Sequence, residues 1–140
     1  EWPREAHYRN WVDEQLEEKW SHLIKAREIV LKKIEEKRQA GLIGSSLEAK
    51  VALTSSDAKI KKILADNKDM LRYLFIVSEA DVAVATSAKA SGQETSLLIA
   101  ADVEKADGAK CQRCWNYSIE VGKDSRHPTL CERCVAVLKS

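Results

Sequence analysis

Two pairs of cysteines constrain the fold of this chain more than any other feature of its sequence. The pairs are Cys111-Gln112-Arg113-Cys114 and Cys131-Glu132-Arg133-Cys134; sixteen residues separate them, and they hold all four cysteines of the 140-residue chain. Two cysteines with two residues between them can curl into a tight turn that points both sulfurs at one place, and two such turns complete a tetrahedron. The spacing therefore predicts one structural Zn²⁺ ion, and its ligands are Cys111, Cys114, Cys131 and Cys134. Four thiolates leave no open position for water or substrate, so we expect no catalytic role for the metal.

A pair of disulfides is the alternative to zinc. Four cysteines allow three connectivities, and the spacing alone excludes none of them. The sequence shows no apolar signal-peptide core near its start and no run of about 18 apolar residues that would predict a membrane span. Because nothing suggests an oxidising compartment, we favour zinc and expect a cytoplasmic protein. The chain begins at Glu1-Trp2-Pro3 without a methionine, so we expect it to be part of a longer protein.

The residues upstream of the cysteines predict an α+β fold. Apolar residues recur every three to four positions from Val12 to Ala40, which predicts one long N-terminal helix with a single buried stripe. Asn10 or Asp13 is a candidate N-cap, and Gly41 stands where a C-terminal cap is expected. The expected stripe consists of Val12, Leu16, Trp20, Leu23, Ile24, Ala26, Val30, Leu31 and Ile34.

A small mixed β-sheet with one or two helices is expected between the long helix and the cysteines. Leu47, Ala49, Val51 and Leu53 alternate with polar or small residues, which predicts a strand with one buried face. Residues 55–57 offer an N-cap to a helix over 58–65, and Asp69 offers one to a short turn through Tyr73. Further strands are expected at 74–78, 82–84 and 97–101, with a turn at 79–81 and a polar loop at 88–94. We expect three parts: 1–45 as a helical segment, 46–107 as a small α+β domain, and 108–140 as a four-cysteine zinc finger of the ribbon or knuckle type.

The cysteine lobe carries the residues that are candidates for nucleic-acid contact. The whole chain has 23 Lys and Arg against 22 Asp and Glu, so its net charge of +1 neither requires nor excludes such a partner. An exposed aromatic beside arginines suits stacking of an unpaired base, whereas a lobe this small also needs its aromatics for a core; for Trp115 we favour the core. Gly122-Lys123 predicts a hairpin turn between two ribbon strands, and residues 132–138 predict a short helix with Val135 and Leu138 facing inward. The candidate RNA contacts are Arg113, Trp115, Asn116, Tyr117, Arg126, His127, Arg133, Lys33, Lys37 and Arg38; for the last three, a solvated helix face is the simpler explanation.

Several segments resemble the C-terminal region of bacterial-type isoleucyl-tRNA synthetases. Lys110 to Trp115, Val121-Gly122 and Leu130 to Cys134 are similar to that family's zinc finger. Upstream, Gly44 to Val51 resembles the segment after its long helix, Leu74 to Ser78 resembles a later strand, and Trp2-Pro3 resembles the start of its anticodon-binding region. The finger by itself is also similar to that of formamidopyrimidine-DNA glycosylases, which grip damaged DNA, but the strands upstream favour the synthetase.

The resemblance implies a part of a class I ligase that joins isoleucine to its tRNA with ATP. It also implies that 1–45 continues an anticodon-binding helical domain and that 46–107 is a junction domain before the zinc finger. That family carries His-Ile-Gly-His-like and Lys-Met-Ser-Lys-Ser-like catalytic motifs, and neither occurs in these 140 residues, so we expect no catalytic site here. The implied partners are the anticodon stem-loop of isoleucine tRNA and the remainder of the synthetase, with no membrane. The alternatives are a DNA-binding finger of the glycosylase kind and a purely structural domain of the synthetase without RNA contact.

Overall fold

A computed structural model of the chain describes residues 2, 4, 11–83 and 98–139. Within these residues the α+β class expected from the sequence is confirmed, with a long N-terminal helix, a small mixed sheet and a C-terminal cysteine lobe. The elements are α1 Glu14–Gln39, β1 Ala49–Ser55, α2 Ala58–Asp66, α3 Lys68–Phe75, β2 Glu79–Val82, β3 Ile99–Lys105, β4 Ala109–Lys110, β5 Tyr117–Ser118 and α4 Glu132–Lys139. The loop expected at 88–94, together with Val84 and Leu97, lies outside the described residues.

Helix α1 begins at a side-chain cap and ends before a glycine, as the sequence predicts. The Asp13 carboxylate accepts hydrogen bonds from the Gln15 and Leu16 amides, each at 3.0 Å, so two of the free N–H groups of the first turn are satisfied. After the last turn, Gly41 adopts a φ of +71°, a left-handed conformation that costs glycine little.

The core contribution of α1 begins at Leu23. The buried residues of this helix are Leu23, Ala26, Val30 and Ile34. The prediction of one buried stripe along the whole helix is wrong for its N-terminal turns. Val12, Leu16, Trp20 and Ile24 are exposed by 56%, 46%, 37% and 49%, so they leave an apolar row at i, i+4 spacing in solvent.

The main sheet has three strands in the order β2-β1-β3, with β1 at its centre. β1 runs parallel to β2 and antiparallel to β3, so Val51 lies between Ala80 and Val103. The β1 side chains alternate between buried and half-buried positions, which is the period-two pattern read from the sequence. The parallel connection from β1 to β2 passes through α2 and α3, which cover the sheet together with α1.

The helical connection is capped and amphipathic. The Asp57 carboxylate accepts a hydrogen bond from the Ile60 amide at 2.9 Å and caps α2. α2 ends at Asn67, as expected, and α3 follows at once as a full two-turn helix rather than one short turn. The residues that these two helices bury are Ile60, Leu64, Leu71 and Phe75.

The strand predicted at 74–78 and the turn predicted at 79–81 are wrong. Leu74 and Phe75 complete α3, and Ile76 ends it in a left-handed conformation with a φ of +58°. The strand begins only at Glu79, where the turn had been expected, and it ends at Val82. The apolar run misled the prediction because it joins the buried end of a helix, an exposed cap residue and a buried linker residue, Val77.

Two separate clusters of buried side chains result. The larger unites α1, the sheet, α2 and α3, while the smaller consists of Cys111, Cys131 and Cys134 with half-buried neighbours. The cysteine lobe thus has almost no apolar core of its own, so it depends on its metal site for stability. In the part of the chain that the structure describes, no helix is long and apolar enough to cross a membrane.

Candidate metal centre

The first pair of cysteines lies in the turn of a small β-ribbon. Strands β4 and β5 pair antiparallel, with Lys110 opposite Tyr117, and the segment between them carries Cys111 and Cys114. The Cys111 amide donates to the Asn116 carbonyl at 2.9 Å, and the Trp115 amide donates to the Cys111 carbonyl at 2.9 Å. These bonds close the turn and set both sulfurs on its inner side.

The second pair lies at the start of α4. Cys131 directly precedes the helix, and its carbonyl accepts the Val135 amide at 3.0 Å, so Cys134 falls in the first helical turn. Free amides at a helix N-terminus favour negative charge, which suits thiolate ligands. The Cys131 amide also donates to the Cys111 sulfur at 3.3 Å and joins the two pairs.

The four sulfurs are arranged for a metal ion rather than for disulfides. All four lie within 4.8 Å of one another, and the sulfurs of Cys114 and Cys131 are 3.6 Å apart. A tetrahedron with zinc–sulfur distances of about 2.3 Å has edges of about 3.8 Å, whereas a disulfide needs about 2.0 Å. All four cysteines are free. A buried four-thiol set at these distances fits a structural zinc ion with Cys111, Cys114, Cys131 and Cys134 as its ligands, so the zinc prediction is confirmed.

Without a cation the four thiols cannot all ionise. Burial raises the pKa of Cys131 to about 12, and burial also raises the pKa of Cys134. Burial acts in the same direction on Cys114, but hydrogen bonds with Asn116 outweigh it and bring the pKa of that thiol down to about 6. The metal-free centre therefore holds protons that a bound zinc ion must displace.

Each Cys-x-x-Cys turn carries an arginine that reaches the other turn. The Tyr73 hydroxyl and the Cys114 sulfur both raise the pKa of Arg133. Burial raises the pKa of Cys134 and Arg113 acts to lower it, so each arginine interacts with a sulfur of the other pair. Four thiolates with one zinc ion carry a charge of about −2, which these two guanidinium groups offset. The arginines thus stabilise the metal centre as well as facing outward.

Trp115 is on the surface, so the core position that we favoured for it is wrong. Its side chain is 60% exposed, and its backbone has a φ of +65°, which is uncommon for any residue other than glycine. The tight turn after Cys114 imposes this conformation and directs the indole away from the lobe. The Lys110 ammonium lies 5.3 Å from the ring centroid, a cation–π contact.

The remaining predicted contacts of the lobe form two groups. Asn116 and Tyr117 are half-buried and adjoin Trp115. Arg126 and His127 lie in a separate turn, where the Asp124 carboxylate accepts both of their amides at 3.0 and 3.2 Å. Lys139 pairs with Asp124 at 2.7 Å and holds the pKa of that carboxyl below its usual range, so this turn is tied to the end of α4.

The three basic residues near the end of α1 make a weaker case for contact. Lys33 pairs with Glu36 at 2.8 Å, and Arg38 pairs with Glu35 at 3.4 Å, on their own helix. Lys37 is half-buried. Ion pairs of this kind along an exposed helix are common and worth little, which agrees with a solvated face.

Two local expectations about the lobe are wrong. The Gly122-Lys123 turn does not join the ribbon strands, because the strands that pair among the described residues flank Cys111 to Cys114 instead. Leu138 is 52% exposed, whereas Val135 is buried as expected. α4 packs on the lobe only through its first turns, so the residues near its end remain in solvent.

A serine that sequence reasoning missed attaches the lobe to the sheet. Ser78, 6% exposed, accepts a hydrogen bond from the Tyr117 amide at 2.6 Å and donates one to the Leu47 carbonyl at 2.5 Å. A second tie runs from Arg133 to the Tyr73 hydroxyl at 3.3 Å. No local signal marks Ser78, whereas Asp124, also missed, stands two and three residues before the amides that it binds, which is a recognisable turn pattern.

Comparisons with known proteins point to one family for the lobe and for the rest of the chain. Residues 108–137 match the family described as a zinc finger found in FPG and IleRS. The chain is 45% identical over 137 residues to the isoleucine–tRNA ligase of Gloeobacter violaceus, 42% identical over 139 residues to that of Thermotoga maritima, and 42% identical over 141 residues to that of Gloeothece citriformis. These alignments cover 98%, 99% and 92% of this chain but only 13%, 14% and 15% of the relatives.

Proposed function

The chain is similar over nearly its whole length to the C-terminal region of isoleucine–tRNA ligases, and we propose that it helps such a ligase to hold the anticodon stem-loop of isoleucine tRNA. It spans about one seventh of the length of the relatives named above. The remaining polypeptide of the ligase would accordingly catalyse the ligation of isoleucine to tRNA with ATP. We place this ligase in the cytoplasm. The zinc ion would act here by fixing the two cysteine turns, since four thiolates fill its coordination.

One observation carries the proposal: Trp115 is exposed in a strained turn that the metal centre fixes. A left-handed conformation at a non-glycine residue costs about 1–2 kcal/mol. In this turn the indole makes a cation–π contact with Lys110 but leaves most of its apolar surface in solvent. An unpaired base of the anticodon loop provides a partner, because base–aromatic stacking contributes about 1–3 kcal/mol. Rigid attachment to zinc would lower the entropy cost of that contact.

The surroundings of Trp115 suit a polyanion that presents bases. Arg113 is exposed beside it, and Lys110 lies over its ring. Arginine binds phosphate through a planar fork and also stacks on bases. Asn116 and Tyr117 adjoin the indole, while Arg126 and His127 would extend the same surface. Lys33, Lys37 and Arg38 remain weaker candidates that would support the stem.

The test uses the complete, zinc-loaded ligase that carries this region. Trp115→Ala should weaken binding of isoleucine tRNA by about 1–3 kcal/mol without changing the melting temperature, because the side chain is already exposed. Trp11→Ala is the matched control, since Trp11 is 82% exposed on a different part of the chain. Equal affinities for the two variants would contradict the proposal and favour a purely structural domain. Tighter binding of duplex DNA than of tRNA would favour the glycosylase-like alternative.

We also propose that the remaining ligase polypeptide packs on the exposed row of α1. Val12, Leu16, Trp20 and Ile24 form that row, and the relatives supply more than four fifths of their length beyond this region. Leu16→Ser should therefore lower the melting temperature of the complete ligase by a few degrees. Ile119→Ser, at a position 65% exposed on the cysteine lobe, should not; the same shift for both variants would remove the row as a contact surface.

The three-part division of the chain remains a proposal about function. The buried residues of α1 share one core with the sheet, so 1–45 and 46–107 would fold together. The lobe at 108–140 has its own cluster around the cysteines and would act as a separate RNA-facing part.

A further inference from the structure

Two guanidinium groups from different parts of the fold meet at one tyrosine. Tyr73 lies in the last turn of α3 and is 55% exposed. Its hydroxyl accepts a hydrogen bond from Arg72 Nη2 at 2.6 Å and another from Arg133 Nη1 at 3.3 Å. The two guanidinium carbons lie 4.7 and 5.9 Å from the centre of its ring. Arg72 belongs to α3 and Arg133 to α4, so the cluster spans the seam between the α/β part and the cysteine lobe.

This pair of charges is not neutralised by carboxylates. Among the described residues, neither Arg72 nor Arg133 forms an ion pair, whereas Lys50, Lys59, Lys62 and Lys68 all do. The phenolic oxygen between them is a neutral acceptor, so the two like charges are held close at an electrostatic cost. The positive charge of Arg133 is partly compensated by the nearby Cys114 sulfur, whereas that of Arg72 has no such partner among the described residues. An anion bound at the seam would remove this imbalance.

The neighbouring charges limit the size of that anion. Arg72 and Tyr73 line a groove of about 500 Å³ together with Asp69, Glu79 and Asp81, and Asp81 is paired with Lys68 at 2.5 Å. These carboxylates repel a polyanion that follows the groove. A compact oxyanion at the Arg133 end of the cluster meets fewer of them, because Arg133 does not line the groove. Each guanidinium has five N–H donors, and the bond to Tyr73 leaves others available for it.

We propose that Arg72, Tyr73 and Arg133 form a binding site for a single phosphate of the tRNA backbone at this seam. The proposal rests on the proposed tRNA-binding function and adds a contact at Arg72 and Tyr73, which lie outside the cysteine turns. Paired arginines bind phosphate oxygens in the plane of their forks, and Tyr73 holds both groups in place. Because each side of the seam supplies one arginine, a bound phosphate also holds the cysteine lobe against α3.

The experiment measures the affinity of the complete, zinc-loaded ligase for isoleucine tRNA at several salt concentrations. Arg72→Gln should weaken binding about tenfold. The plot of the logarithm of the association constant against the logarithm of the salt concentration should become less steep by about 0.7–0.9, the value for one lost phosphate contact. Lys62→Gln is the matched control, since it removes the same charge from an exposed helical position and should change neither quantity. Tyr73→Phe should weaken binding several-fold with the salt slope unchanged, because both charges remain but lose their anchor.

The outcomes separate this inference from the proposed function. If Trp115→Ala weakens tRNA binding while Arg72→Gln leaves affinity and salt slope at their original values, the phosphate site is disproved and the function stands. If neither substitution has an effect, both fail. Unchanged zinc content and melting temperature of Arg72→Gln should accompany the expected loss. A fall in either would assign Arg72 to folding and overturn the site.

Discussion

The amide nitrogen of Tyr117 lies 2.6 Å from Ser78 Oγ, and this hydrogen bond joins two parts of the fold that share no apolar core. Ser78 follows α3, whereas Tyr117 begins the second strand of the cysteine ribbon. Since the same hydroxyl also donates to the Leu47 carbonyl, one buried serine fixes the position of the metal lobe on the sheet.

Ser78→Ala should therefore loosen the lobe. The substitution leaves the Tyr117 amide and the Leu47 carbonyl without their partner, at a cost of about 1–3 kcal/mol for each group that stays buried. The free energy of unfolding should fall by about 2–4 kcal/mol, and hydrogen exchange at the Tyr117 amide should accelerate.

Ser55→Ala is the matched control for that substitution. Ser55 is similarly buried, and its hydroxyl donates to the Leu98 carbonyl at 2.6 Å, but among the described residues none of the hydrogen bonds of this hydroxyl reaches the lobe. It should destabilise the sheet without changing exchange at Tyr117. Equal acceleration at Tyr117 in both variants would show that the Ser78 hydroxyl is not the specific attachment.

Removal of zinc should unfold the lobe and spare the sheet. Cys131→Ser or chelation removes the zinc ion, which stabilises the lobe in place of an apolar core. Structural zinc sites contribute on the order of 10 kcal/mol to the folding of small fingers. Zinc content should fall from one ion per chain, and amide protection should be lost over 109–139 only. Gln112→Ala changes an exposed residue between two ligands and should keep the metal. Full protection of the lobe after chelation would rule out a structural zinc.

Zinc affinity should fall as the pH falls. Burial raises the pKa of Cys131 to about 12 and also raises that of Cys134, so between pH 6 and 9 both thiols are protonated without metal and must lose their protons to bind it. At least two displaced protons weaken zinc binding at least about 100-fold for each unit of decreasing pH. Below about pH 6 the Cys114 thiol, with a pKa of about 6, adds a further proton and steepens the loss. Competition with a chromophoric chelator from pH 5 to 8 measures this slope, and a flat profile would contradict it.

Gly108→Ala should be far more damaging than Gly41→Ala. Both glycines have positive φ, +84° and +71°, so alanine is strained at either site by about 1–2 kcal/mol. A Cβ on Gly108 would also stand 2.3 Å from the backbone of Ser118, which cannot move without opening the ribbon, whereas a Cβ on Gly41 meets nothing within 4 Å. Thermal unfolding should show a loss of about 1–2 kcal/mol for Gly41→Ala and several for Gly108→Ala together with weaker zinc retention. Similar losses would mean that the ribbon tolerates the extra atom.

Local patterns in the sequence predicted the metal centre and the N-caps of α1 and α2 correctly, whereas the cap predicted at Asp69 is wrong because α3 already begins at Lys68. Cys-x-x-Cys turns and the caps Asp13 and Asp57 act within a few residues, so their spacing carries nearly all the information. The run at 74–78 was misread because its composition suits a strand. The i, i+4 pair Leu71 and Phe75, both fully buried, was the helical signal that competed with it.

Contacts between residues that are distant along the chain could not be predicted from the sequence, for a physical reason. Ser78 and Tyr117 are 39 residues apart, and Tyr73 and Arg133 are 60 apart, so no periodicity links them. The exposure of Trp115 depends on a positive φ at a residue type that rarely adopts one. The exposure of the first apolar residues of α1 likewise depends on which elements pack against that helix. Hydrophobic spacing along the sequence carries no information about this packing.

The central place of β1 also sets an order of events during synthesis. Residues 49–55 pair with 99–105, so the sheet cannot close before β3 has been synthesised, and Cys111 follows Lys105 by only six residues. Long-range pairing of this kind is slow, and domains generally fold as they emerge. Both pairs of cysteines follow β3 along the chain, so the lobe is synthesised after every strand of the sheet. A chain starved of zinc should therefore retain a folded sheet with an unfolded lobe that proteases can remove.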